Sequence, residues 1–168
     1  MSCFLLKAFL TGALVALAGC VALPPGQKDI GIGLAAFTDK YGPPTSVIET
    51  STGKKLIYWT GPFGEETYFV EVNTHHQVTS WRQVLTEENF RRVSPGLPLQ
   101  KVTEILGPCS KTYSLARDRG SVCAYRYRNP FCQWFSIEIT AEGTVRSAGY
   151  LPDPKCDDGR SGLFRFRF

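Results

Sequence analysis

The chain has 168 residues, 19 Lys and Arg against 15 Asp and Glu, a net charge of +4, and 43% hydrophobic residues. That length limits it to one ordinary core or two small ones. The charge is far below the basic excess of a nucleic-acid binder, so no nucleic-acid partner is expected.

The first twenty residues, MSCFLLKAFLTGALVALAGC, carry one charge, Lys7, followed by an uncharged run over 8–18. A positive start, a short apolar stretch and small residues at its close are the layout of a secretory signal peptide. The run is shorter than the roughly 20 apolar residues a spanning helix needs. Leu17-Ala18-Gly19-Cys20 resembles the bacterial lipobox. The resemblance implies that residues 1–19 are a lipoprotein signal peptide, that the Cys20 thiol takes diacylglycerol, and that 20–27 form a lipidated linker. Val21 stands where an Asp would favour inner-membrane retention, which implies an outer-membrane lipid anchor facing the periplasm. Lys7 is the only charge lost with the signal, leaving 18 basic and 15 acidic residues.

A first unit is expected over 28–91. Ile30, Leu34, Phe37 and Tyr41 recur at helical spacing and form one apolar stripe. Gly31 and Gly33 weaken that helix by about 1 kcal/mol each relative to Ala. Gly42 suits the left-handed residue that closes a helix, and Pro43 blocks its continuation. Alternating, aromatic and β-branched segments follow (KKLIYWTG, ETYFVEV, QVTSW), with a further strand possible over 47–50. Thr52-Gly53, Gly61-Pro62 and residues 73–77 are the turns between them. The connection LTEENFRRVSPG places Glu87-Glu88 against Arg91-Arg92, which reads as a short helical linker with solvated faces.

A second unit over 92–156 repeats this plan. Pro98 sits near the first position of a helix carrying Leu99, Val102, Ile105 and Leu106, and Gly107 closes it. The strand-like pieces SVCAYRYRN, QWFSIEI and TVRSA superpose on those of the first unit at an offset of 67, with Tyr58 on Tyr125, Val70 on Ile137 and Val72 on Ile139. Asn129-Pro130 and Glu142-Gly143 mark its turns. The fold class expected is α+β: two tandem helix-plus-antiparallel-meander units, with helices packed on one face of the sheet or sheets. Residues 157–168 form a carboxy-terminal tail.

Four cysteines remain beyond the signal and Cys20: Cys109, Cys123, Cys132 and Cys156. An even number in an exported domain indicates two disulfides, for which three pairings exist. Strand alternation puts Cys123 with Tyr125 and Tyr127 on the core side, near Cys109 at the helix end. This selects Cys109–Cys123 and leaves Cys132–Cys156. No CxxC pair occurs and no His neighbours these cysteines, so no metal is expected.

A helix ending in Leu-Gly-x-Pro, a Trp/Tyr-rich strand, an apolar strand and a turn into a Val-led strand together resemble the SmpA/OmlA (BamE) lipoprotein domain. The matching stretches are EILGPC and KYGPP, AYRYRN and IYWTG, FSIEITAEGTVRS and FVEVNTHHQVTS. The tandem arrangement resembles secreted β-lactamase inhibitor proteins. This implies a lipid-anchored, periplasm-facing protein-binding module that supports outer-membrane protein assembly or envelope integrity, its partners being envelope proteins such as barrel-assembly components. The alternative it implies is a tandem-repeat inhibitor or binding protein for a soluble periplasmic enzyme.

No catalytic residue is assigned and no cofactor is expected, since neither a nucleophile elbow, a phosphate loop nor a His-Glu-x-x-His motif occurs. His75 and His76 are adjacent and read as solvated turn residues. Asp153, Asp157 and Asp158 read as a solvated, disulfide-tethered loop. The candidate protein-binding residues are aromatic and basic: Trp59, Trp134 and Arg126, which alternation points away from the core, and Phe164, Phe166 and Phe168 of the closing GLFRFRF. As a strand, that tail would put its three phenylalanines on one face.

Overall fold

The structure is a computed structural model that describes residues 24–116 and 119–156. Cys20, the signal segment, Asp157, Asp158, Phe164, Phe166 and Phe168 lie outside the described residues. After a 3-10 turn over Gln27–Asp29 come α1 (Leu34–Tyr41), β1 (Ser46–Thr50), β2 (Gly53–Trp59), β3 (Thr67–Asn73) and β4 (Val78–Gln83). Then follow α2 (Glu87–Phe90), α3 (Leu99–Leu106), β5 (Lys111–Ser114), β6 (Ser121–Arg126), β7 (Gln133–Ile139) and β8 (Val145–Pro152), with a 3-10 turn over Pro154–Cys156. The strands form two antiparallel sheets, ordered β1-β2-β3-β4 and β5-β6-β7-β8.

The sheets follow the same rules. Tyr58 pairs with Tyr68 across β2 and β3, and Tyr125 pairs with Phe135 across β6 and β7. A bulge falls at Glu71/Val72 in one sheet and at Glu138/Ile139 in the other. Both long helices stop on a glycine with positive φ, Gly42 at 80° and Gly107 at 79°. In each case a tyrosine of the neighbouring strand seals the stop. Tyr58 donates its hydroxyl to the Gly42 carbonyl and Tyr125 to that of Gly107, both at 3.1 Å. Each bond satisfies a carbonyl that the helix end leaves without an intrahelical partner. Burial pushes the Tyr125 hydroxyl pKa up, which keeps it protonated and donating.

α3 spans its whole apolar stripe, Leu99–Leu106, whereas α1 is shorter than its stripe suggests. Ile30, expected in the first stripe, lies outside α1 and is 44% exposed. Gly31, at φ 89°, turns the chain before the helix begins at Leu34. The α2 segment also departs from the expected solvated linker. Glu88, Arg91 and Arg92 are exposed, but Phe90 is buried and stacks on Phe135 with ring centroids 4.4 Å apart. One apolar residue at the right position draws the segment onto the core while its charges stay in water.

Two clusters hold the fold. The first joins Phe37 of α1 to Leu56, Val70, Val72 and Val78 of the first sheet. The second joins Val102 and Leu106 of α3, Phe90 and Val93 to Cys123, Tyr125, Phe135, Ile137 and Ile139 of the second sheet, and to Ile57 and Phe69 of the first. The first sheet is therefore covered on both faces. This is why TYFVEVN of β3 is buried at four consecutive positions instead of alternating. The sheets dominate: each helix lends one or two buried side chains to a cluster made mostly of strand residues.

Truncating Ile137 to Ala should lower stability by about 2–5 kcal/mol in urea unfolding. Tyr125→Phe should cost about 0.5–1.5 kcal/mol.

Asp29 supplies a pH signature. It is buried at 2% exposure and accepts from Lys40 Nζ at 2.5 Å, Gly26 N–H at 2.6 Å and the Tyr41 hydroxyl at 2.7 Å. These bonds, that of Lys40 foremost, hold its pKa down to about 2. A carboxyl lowered by folding stabilises fully above its unfolded pKa and loses that contribution as pH falls toward the folded one. Urea midpoints should therefore drop between about pH 4 and pH 2, and Asp29→Asn should flatten that drop.

Candidate functional site: the loop end of the two sheets

Strand direction brings the β2–β3 loop, the β6–β7 loop and the segment after β8 to one end of the molecule. There Arg126, the last residue of β6, makes a bidentate ion pair with Asp153, Nε to Oδ2 at 2.5 Å and a terminal nitrogen to Oδ1 at 2.9 Å. Its remaining terminal nitrogen donates to the Pro62 carbonyl of the other sheet's loop at 2.9 Å. The guanidinium lies between the rings of Phe63 and Trp134, 5.6 Å from each centroid. Burial alone would raise the Asp153 pKa, but bonds from Arg126 and from the Lys155 N–H outweigh it and hold the carboxyl below the usual range.

Arg126 and Trp134 do stand on the face opposite Tyr125 and Phe135, yet they are buried, at 7% and 6% exposure. The open aromatic surface expected at these two residues is instead an internal junction, closed by Phe63 and by Tyr113, whose ring packs on Trp134 at 6.0 Å. The Trp134 indole N–H is buried with no acceptor among the described residues, a cost of about 1–3 kcal/mol that aromatic packing must offset. Asp153 is likewise buried at 5% exposure instead of solvated. The reason is the same: alternation tells which face a residue takes, but not that a loop 64 residues upstream folds across that face.

Trp59 is half-buried at the end of β2, its backbone N–H donating to Thr45 Oγ1 at 3.1 Å beside the edge strand β1. His75 and His76 are exposed in the β3–β4 turn, where His76 takes φ 59°. Cys109 is bonded to Cys123, with Cα atoms 5.6 Å apart, and Cys132 to Cys156, at 6.2 Å. The second bridge ties the β6–β7 loop to the segment that carries Asp153. Among the described residues no group of three or more His, Cys, Asp or Glu side chains is placed to hold a metal ion, and no helix is long and apolar enough to cross a membrane.

The loops at this end share a construction. In the first, Thr60 Oγ1 donates to the Glu66 carbonyl at 2.7 Å, closing the neck. In the second, Asn129 spans the neck, donating to the carbonyls of Tyr127 at 2.9 Å and Gln133 at 2.7 Å and accepting from the Phe131 N–H at 3.0 Å. Each loop contains a Pro-Phe step, Pro62-Phe63 and Pro130-Phe131, with the phenylalanines 78% and 76% exposed. Between the loops lies an open cleft of about 150 Å³ lined by Glu65, Asn129, Pro130, Cys132, Asp153 and Lys155. Neither phenylalanine is among the sequence-derived binding candidates; the repeated Pro-Phe at matching turns is the signal that sets them apart.

Together these features define a two-sheet α+β protein whose loops are stapled at one end. No family model and no curated protein matches the chain. Solved structures similar to it include a protein described as the osmotically inducible lipoprotein OsmE, at 22% identity and a TM-score of 0.37, over 51% of this chain and 92% of that one. Another is a DUF4309 family protein, YjgB, from Bacillus subtilis, at 13% identity and a TM-score of 0.28, over 71% of this chain and 77% of that one. A third is an extracellular protein containing an SCP domain from Bacillus anthracis, at 13% identity and 0.30, over 75% and 45%. Likenesses at this level assign neither a family nor a function.

Removing one partner of the Arg126–Asp153 pair should be costly, because the other charge is left buried. Asp153→Ala should destabilise by about 3–5 kcal/mol. The double variant Arg126→Met/Asp153→Leu should recover much of that loss in the same denaturation assay.

Proposed function

We propose that this chain is a lipid-anchored, periplasm-facing binding protein that takes up extended segments of envelope proteins at the free edge of β1. One observation carries the reading. Among the described residues β1 has no outer neighbour, and Val47 and Ile48, on its opposite faces, are 48% and 39% exposed. The far edge of the same sheet is treated differently. The chain's own residues run beside β4, with the Gly31 N–H donating to the Val78 carbonyl at 2.7 Å and the Val78 N–H to that of Ile32 at 2.9 Å.

An uncovered apolar edge is a template for strand addition, in which backbone bonds supply affinity and alternate side chains supply specificity. Ile48 pairs with Lys55 of β2, and Trp59 lies four residues further along that strand on the same face. Trp59 and Ile48 would thus read one face of an incoming strand and Val47 the other. The lipobox-like Leu17-Ala18-Gly19-Cys20 supports the anchor, which raises effective concentration at the membrane. The resemblance to BamE-like lipoproteins makes barrel-assembly components the partner class, and a soluble periplasmic enzyme the competing one.

A pull-down from solubilised membranes tests both readings. With Val47→Lys/Ile48→Lys, recovery of the envelope partner should fall about tenfold or more while the melting temperature stays within a few degrees. Unchanged recovery would remove the edge from the mechanism, and a single soluble enzyme in the eluate would favour the inhibitor reading. Cys20→Ala should abolish fatty-acid labelling and release most of the protein from membranes.

A further inference from the structure

The junction at the loop end leaves Phe63 and Phe131 exposed, on necks stiffened by Thr60 and Asn129. Two apolar tips, one from the β2–β3 loop and one from the β6–β7 loop, stand at the same end of the molecule. The charges beside them are paired: Arg128 with Glu66 at 3.1 Å, Lys155 with Glu65 at 3.7 Å, and Arg126 with Asp153. Among the described residues, what this end presents is therefore apolar contact with little net charge.

The amino-terminal side of the chain arrives from the same direction. Trp81 Nε1 donates to the Gly26 carbonyl at 3.3 Å, and the Gly31 N–H to that of Val78 at 2.7 Å. Because β4 runs toward the loop end, the chain traced backward from Gly31 to Gly26 also runs toward that end. Cys20 precedes Pro24, the first described residue, by a reach of at most about 14 Å.

We propose that Phe63 and Phe131 are membrane contacts that seat the loop end on the lipid interface beside the acyl anchor. The inference rests on the lipid-anchored reading for its tether and on the structure for its tips. A flexible tether alone sets distance from the bilayer but leaves the domain free to tumble. The tether and two tips together give three points of support and fix its orientation. The strands then stand off the bilayer, with the β1 edge upright and the β3–β4 turn farthest from the lipid. Phenylalanine suits the task, since its ring enters the acyl boundary without a polar group to desolvate.

The test places a photo-reactive benzoylphenylalanine at position 63, 131 or 75 of the full chain on vesicles of phosphatidylethanolamine and phosphatidylglycerol. His75 is the control, exposed in the β3–β4 turn. Lipid adducts at 63 and 131 should exceed those at 75 by about tenfold or more. Repeating the measurement with Cys20→Ala separates the two readings. If the anchor assignment fails, Cys20 takes no lipid label, yet the ratio between tips and control still reports on the tips. A ratio near one in both proteins overturns the proposal. So does adduct formation at 63 and 131 with a protein in place of lipid in outer-membrane preparations. Phe63→Asp/Phe131→Asp should abolish residual vesicle binding of the Cys20→Ala chain, and Phe131→Asp alone, which leaves the Phe63–Arg126 contact in place, should weaken it without shifting the melting temperature; unchanged binding would count against the tips.

Discussion

Gly107 is where the two halves meet. Its positive φ ends α3, and its carbonyl receives the Tyr125 hydroxyl. The missing side chain matters as much, since a Cβ there would stand 2.8 Å from Thr67 Cγ2 and 3.5 Å from the Phe69 ring on β3. Two residues later Cys109 is bonded to Cys123 of β6. One backbone position thus holds the helix end, the second sheet and the back of the first sheet within van der Waals distance. Any larger residue must displace the Thr67 side chain while also adopting a conformation that side chains disfavour.

From that contact the layering follows. Val102 and Leu106 of α3 share a cluster with Ile57 and Phe69 of the first sheet and Tyr125 and Ile137 of the second, while Leu56 and Val70 of the first sheet cluster with Phe37 of α1. The loops beyond β2 and β6 are then neighbours, and Arg126 reaches the Pro62 carbonyl. The loop end is held by three different means: an ion pair out of water, a disulfide and side chains that close the loop necks. The first two act on one segment, since the Cys132–Cys156 bridge flanks Asp153 and the Asp153 N–H donates to the Cys132 carbonyl at 2.9 Å.

Much of this was legible in the residues. The offset of 67 between strand segments reappears in the paired tyrosines, the bulges and the core positions Val70 and Ile137. Both helix stops were readable because a glycine followed by proline leaves the chain few options. The alternation around Cys123 gave the partners that the disulfides have. What was not legible depended on distant parts of the chain. Phe90 looked like one apolar residue in a charged linker until the second sheet supplied Phe135 to stack upon. Alternation pointed Arg126 away from the core and Asp153 read as part of a solvated, tethered loop; their mutual contact across 27 residues is what makes the burial of both tolerable. Local pattern encodes the face of a strand, whereas the cover of that face is a long-range fact.

The double burial of the first sheet also shapes how the chain is made. β4 ends at Gln83, so the sheet can pair fully once that residue has emerged. One of its faces then still awaits α3, which ends at Leu106. At synthesis rates of about 5–20 residues per second, the gap lasts roughly 1–5 s. During it Ile57 and Phe69 lie bare on a formed sheet, next to an unguarded β1. The nascent first half therefore bares apolar surface that the finished protein buries, and severing the chain between the halves would leave that surface open.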